Sequence, residues 1–267
     1  MLLDAMWERI AERLSGQVVS LERLGPAHVE GLRLAGADPA IWRWMVVDNV
    51  DDWVEYSLVE PDRVAYATLV DGVPLGSTSY LALAPEHRRL EIGATWLAPS
   101  AWRTGANVEA KLLMLRHAFE DLGCLRVEFK TDALNERTRR SLEALPAQFE
   151  GVHRRHMLVR GAERRDSAWY SVIADEWPQV QANLERRVCG ASAASGVAPL
   201  TWAIHGPWSI PAATSAIARS GTQRSRSSGS SAARSTPLSS RRAATAEPTR
   251  PDPITRMLSI TLFAPVP

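Results

Sequence analysis

Thr95-Trp-Leu-Ala-Pro-Ser-Ala-Trp-Arg-Thr-Gly-Ala-Asn107 runs directly into Val108-Glu-Ala-Lys-Leu-Leu-Met-Leu-Arg-His-Ala-Phe-Glu120. An apolar strand ends, a short loop carrying Thr104-Gly105 follows, and an amphipathic helix begins. Leu112, Leu115, Phe119 and Leu122 recur in that helix at helical spacing and are expected to pack on a sheet. Such a turn aims several unpaired backbone N–H groups and the positive end of the helix dipole at one point, a geometry that suits a phosphate or pyrophosphate. Glycine in a strand–helix turn also has a purely steric reading, so the sequence on either side decides.

Working outward, Arg89 to Leu97 reads as a strand. Val64 to Val70 and Pro74 to Leu83, joined by Asp71-Gly72, read as a hairpin. Gln17 to Leu24 opens the chain as a strand. Helices start at Pro26 and at Val50, the second with Asp51 and Asp52 near its positive end. Beyond the central helix, which Gly123 ends, Leu125 to Thr131 reads as a strand and Asn135 to Leu145 as a short helix. Ala147 to Val159 and Ala168 to Ala174 form a closing antiparallel pair. The order βααβββαβαββ predicts an α/β (α+β) fold with a mixed, mostly antiparallel central sheet and helices on both faces.

The 267 residues carry a formal net charge of +1 and are 45% hydrophobic, which supplies a core and argues against wholesale nucleic-acid binding. The two cysteines, Cys124 and Cys189, make no disulfide framework. Nearly every basic residue is Arg, with Lys only at 111 and 130, which reads as a GC-rich coding sequence. Residues 1–16 form an amphipathic segment without the pattern of a signal peptide, and no membrane-length apolar run follows, so the cytoplasm is expected. Residues 17–188 are expected to form one domain. Residues 189–267, rich in Ser, Ala, Arg, Thr and Pro, lack a sustained period and are expected to be disordered, a candidate product of a shifted reading frame.

Glu91-Ile-Gly-Ala-Thr-Trp-Leu97, Thr104-Gly-Ala-Asn-Val-Glu-Ala-Lys111, Arg126-Val-Glu-Phe-Lys-Thr-Asp132 and Asn135-Glu-Arg-Thr138 together resemble the GNAT-superfamily N-acetyltransferases. Phe149-Glu-Gly151, Arg165-Asp166 and the run Trp169 to Pro178 extend the resemblance, which is nearest to the branch of ribosomal-protein N-terminal acetyltransferases. It covers Val18 to Val188. It implies acetyl transfer to a primary amine, a protein N-terminus or a small molecule, by direct attack, with acetyl-CoA as cosubstrate and no metal. A non-catalytic acyl-CoA-binding or regulatory protein on the same fold is the alternative. Such folds often form homodimers, and no segment here specifies one. Neither a membrane nor nucleic acid is an expected partner; a basic tail tethering the domain to nucleic acid is the exception to test.

The resemblance places the pyrophosphate at Arg103, Thr104, Gly105, Ala106, Asn107 and Val108, and the pantetheine arm along the open strand edge at Trp96, Leu97 and Ala98. It brings Asn135 toward the pantetheine, with Thr138 beside it; Asn135 is equally a good helix cap. The superfamily's loop usually reads Arg or Gln, two variable residues, Gly, one variable residue, then Gly or Ala. Anchored on Gly105, this chain has Trp102 first and Asn107 last, the latter acceptable because Asn tolerates left-handed backbone. Glu91 is the candidate base. Strand alternation sets Glu91, Gly93 and Thr95 on one face and Ile92, Ala94 and Trp96 on the other, and the resemblance turns the Glu91 face to the acceptor. A salt-bridged strand carboxylate is the competing role. Ser141, one turn beyond Thr138, is the candidate donor to the leaving thiolate. His117 is expected at the surface, His153 and His156 on a solvated edge. Pro146 stands where the resemblance expects a glycine of left-handed backbone, which proline resists.

Overall fold

The computed structural model describes residues 8–60 and 62–194. The strands are β1 (Arg13–Ser15), β2 (Ser20–Arg23), β3 (Val64–Val70), β4 (Val73–Ala84), β5 (Arg89–Leu97), β6 (Arg126–Asp132), β7 (Gln148–Val159) and β8 (Glu163–Ile173). The α-helices are α1 (Pro26–Ala35), α2 (Val50–Val59), α3 (Ala106–Arg116), α4 (Glu136–Ala144) and α5 (Trp177–Ala194). One eight-stranded sheet runs in the order β1-β2-β3-β4-β5-β6-β8-β7. Every neighbouring pair is antiparallel except β5 and β6, which pair in parallel only at Arg89–Arg126, Leu90–Val127 and Glu91–Glu128. Past Glu91 the two strands part, and the sheet opens between them.

The two faces of the sheet bury different material. Leu90, Ile92 and Leu97 of β5 join Val127 and Phe129 under α3 and α5. On the opposite face Trp96 joins Trp42, Trp53, Val29 and Leu32 under α1 and α2. Trp96 lies 5.1 Å from Trp42 and 5.7 Å from Trp53 between ring centroids, at inclined angles aromatic pairs favour. The mixed sheet with helices on both faces is the fold expected from the sequence.

Three local features depart from the expectation. The first is β1, whose three residues are too few to show a period and are held by main-chain pairing to β2. The second is α5, which occupies sequence given no element and runs past residue 188 to Ala194. Its Trp177, Val180, Leu184 and Val188 are all buried, a helical spacing that the polar residues between them obscure. The expected disorder from residue 195 onward lies outside the described residues. The third is His117, which is 5% exposed rather than at the surface. Helix α3 passes there into a π turn over His117–Asp121. The imidazole accepts from the Ala11 N–H at 3.1 Å and meets the Asp121 carboxylate at 2.7 Å, tying the N-terminal segment to the helix.

Candidate active site

The irregularity that shapes the site lies within β5. Ser79 of β4 pairs with Gly93 and Ser77 pairs with Trp96, so Ala94 and Thr95 together oppose the single residue Thr78. Ala94 takes φ +47°, the left-handed kink of a β-bulge. The extra residue resets the alternation: Glu91 and Gly93 share a face with Trp96, while Thr95 turns to α3. That corrects the simple alternation, which put Thr95 beside Glu91 and Trp96 opposite it. A side chain at Gly76 of β4 would lie 2.2 Å from the Trp96 carbonyl, so glycine is what lets the two strands close beside the bulge.

Beyond Leu97 the chain makes a short 3-10 turn, Pro99–Ala101, and enters α3 through a left-handed Gly105 at φ +90°. Trp102 Nε1 donates to the Leu97 carbonyl at 2.8 Å, and Thr104 Oγ1 donates to the Ala101 carbonyl at 2.8 Å. Thr104 Oγ1 also accepts from Ala106 N–H at 3.3 Å. The first intrahelical bond runs from Glu109 N–H to the Gly105 carbonyl, which leaves the amides of Asn107 and Val108 without partners along the helix. Asn107 lies inside the helix's first turn, so its tolerance of left-handed backbone is not what admits it. Arg103 is the non-glycine residue of this loop that bends that way, at φ +66°.

A cavity of about 520 Å³ runs from this helix start along the parting of β5 and β6. Trp96, Leu97, Arg103, Gly105, Asn107, Val108, Asn135, Thr138 and Ser141 all line it, and so does Glu91 at its far end. Ala98, Thr104 and Ala106 support the loop from behind without lining the cavity. The helix-cap role of Asn135 is realised, its Oδ1 accepting from Thr138 N–H at 3.1 Å. Asn107 Oδ1 is buried without a partner on the cavity wall. Free helix N–H groups, the lining arginines Arg103, Arg137 and Arg187, and an open strand edge fit an elongated, polyanionic nucleotide thioester.

The acetyltransferase (GNAT) domain family matches residues 19–148. A T. thermophilus protein of known structure, assigned as an acetyltransferase, is 41% identical, with TM-score 0.63 over 67% of this chain and 97% of that one. The chain belongs to the GNAT acetyltransferase family. A GCN5-related N-acetyltransferase from Brucella melitensis has the same TM-score at 26% identity, over 67% of this chain and 87% of that one. Bacillus subtilis (strain 168) YoaA, an uncharacterized N-acetyltransferase, is 33% identical over 99 residues, 37% of this chain and 55% of YoaA. The match thus spans just over half the length of that curated relative. Mycobacterium smegmatis RimJ, in complex with CoA-disulfide, shares the fold at 21% identity, with TM-score 0.52 over 69% of this chain and 92% of that one.

Within this GNAT domain Glu91 is 1% exposed and accepts from Lys130 Nζ at 2.8 Å. Burial pushes its carboxyl up, against the pull of the Lys130 ammonium. Ser141 is half-buried on the cavity wall. His153 and His156 are exposed on β7, flanking Trp169.

Two residues of this GNAT site were passed over in the sequence. Lys111, 8% exposed, donates to Thr95 Oγ1 at 2.7 Å and Thr78 Oγ1 at 3.3 Å, fastening α3 to the bulge; burial pulls its amine down to about 7. A signal existed: in a chain with two lysines among 31 basic residues, both Lys111 and Lys130 line the cavity. The other is Arg63, preceding β3, which enters the cavity wall with 8% exposure. Lying in a loop before a hairpin, it offered no period to notice.

Proposed function

We propose that this protein transfers the acetyl group of acetyl-CoA to a primary amine, on a protein N-terminus or a small molecule, by direct attack. The observation that carries this reading is the convergence of Glu91 and the α3 N-terminus on one cavity along the open edge of β5. Acetyl-CoA brings an activated acyl thioester. The α3 amides of Asn107 and Val108, with Arg103, Arg137 and Arg187, would hold its phosphates, and the strand edge at Trp96 and Leu97 its pantetheine arm.

An amine attacks only when neutral, so its proton must go to a base. Glu91 is the carboxylate on the cavity wall, and burial raises its proton affinity toward the range a base needs near neutral pH. Ser141 lines the cavity and is the proposed hydroxyl donor to the departing thiolate. The sequence resemblance at Arg165-Asp166 and from Trp169 to Pro178 makes the ribosomal-protein N-terminal acetyltransferase branch the guide for choosing acceptors.

The alternative, an acyl-CoA-binding protein without turnover, draws on the Glu91–Lys130 ion pair, which occupies the proposed base. Thiol release from acetyl-CoA, measured with a panel of amines and N-terminal peptides, separates the two. Amine-dependent release is the expected result; acetyl-CoA binding with no release for any acceptor would support the alternative.

A further inference from the structure

The cavity walls are unbalanced in charge. Among the described residues, Glu91 is the single carboxylate on them, against seven basic residues. Arg103 lies in the loop that opens α3, Arg137 and Arg187 flank opposite ends of α4 along the cavity, and Lys130 is paired with Glu91. Lys111 is held by the Thr78 and Thr95 hydroxyls. That leaves Arg63 and Arg165, both within the electrostatic reach of Glu91. Each is 8% exposed, and neither has a carboxylate within ion-pair distance among the described residues.

The immediate surroundings sharpen the point. Arg63 Nε donates to Ser79 Oγ at 3.2 Å, yet both its terminal nitrogens are buried without a hydrogen-bond partner, its guanidinium 5.3 Å from the Trp53 and Tyr56 ring centroids. Arg165, on β8 opposite Met157, has a buried Nε without a partner. Burial pulls both guanidinium groups downward, Arg63 to about 10, and a guanidinium is a cation at neutral pH. Burying two uncompensated cations is unfavourable unless something anionic meets them. Guanidinium forks match oxygen anions in particular.

We propose that the acceptor is an amine carrying an anionic oxygen group, a carboxylate or a phosphate, which is bound at Arg63 and Arg165 while its amine faces Glu91. The inference rests on the acetyl-transfer reading and narrows it from any primary amine to an acidic one.

The test uses the full chain saturated with CoA and follows its thermal shift with propylamine, β-alanine and phosphoethanolamine. A second arm uses the peptide amides Ala-Gln and Ala-Glu. An anionic member should bind with a half-saturating concentration at least tenfold below that of its neutral counterpart. β-Alanine against phosphoethanolamine then tells carboxylate from phosphate. In Arg165→Gln the preference should collapse toward one while the ligand-free melting temperature holds or rises, since a buried unpaired charge is gone; Arg63→Gln provides the second variant should the first fail to fold. A structural arginine would instead lower the melting temperature and leave the preference intact. Equal binding of neutral and anionic members, or no shift with any anionic probe, overturns the proposal. Acetyl-CoA added alone keeps the two readings apart: its failure to shift the melting temperature would sink acetyl transfer itself, whereas a shift with no acidic preference sinks only this inference.

Discussion

Lys111 sits where an ammonium group is least favoured, enclosed by α3, β4 and β5 with two threonine hydroxyls as its partners. Its amine falls from 10.5 to about 7 on folding, mainly through burial. Between those values the unfolded chain holds a proton that the folded chain has released, so stability climbs with pH through that window and is flat below it. Lys111→Met should therefore raise the melting temperature at neutral pH by about 3 °C or more, what about 1 kcal/mol delivers in a domain of this size. The gain should shrink toward pH 10; a gain independent of pH would show that the amine is not the cause. Glu91 carries the opposite chemistry. Glu91→Gln should lower turnover by about 10²-fold or more while the acetyl-CoA thermal shift persists. Turnover in the parent protein should fall as acidification protonates the raised carboxyl. Unchanged turnover in the variant would remove Glu91 from the mechanism.

At the scale of elements, the end of α4 shows a local rule broken. Ala147 N–H reaches the Leu142 carbonyl at 3.0 Å, the long bond of a Schellman cap, with Pro146 at the left-handed position and φ +31°. Proline favours φ near −65° and has no N–H for the second bond of that cap. Pro146→Gly relieves the backbone and restores the donor, and should stabilise by on the order of 1 kcal/mol. A lower melting temperature would show that proline is accommodated there without strain. Elements with a clear period or an unmistakable turn were legible in the sequence, among them the β3–β4 hairpin at Asp71-Gly72 and α3 with its leucines. The bulge at Ala94 was not, because nothing in Gly93-Ala94-Thr95 demands a left-handed residue; the kink arises from the pairing of β4 with β5. So the face of Glu91 could be read from alternation, but the faces of Thr95 and Trp96 could not. The same limit hid Lys111, whose partners Thr78 and Thr95 meet only once the sheet has formed.

At the scale of the whole molecule, the site is a property of the sheet's opening. Strands β5 and β6 pair over three residues and then diverge, with α3 starting where β5 ends. The residues lining the cavity all fall between Ala40 and Arg187. Removing residues 195–267 should accordingly leave acetyl-CoA binding unchanged; its loss in a cooperatively folding truncated chain would assign the C-terminal sequence a part in the site. Among the described residues no helix is long and apolar enough to cross a membrane.

The most direct test of the central claim, that the β5–β6 opening and the α3 N-terminus bind acetyl-CoA, is the melting temperature of the full chain titrated with that compound. A ligand that binds only the native state stabilises it by mass action, about 2.7 kcal/mol at one hundred times its dissociation constant. The account predicts a saturable rise, reduced when Arg103 and Arg137 are both replaced by Gln. A chain that unfolds cooperatively yet shows no rise at any concentration would contradict it.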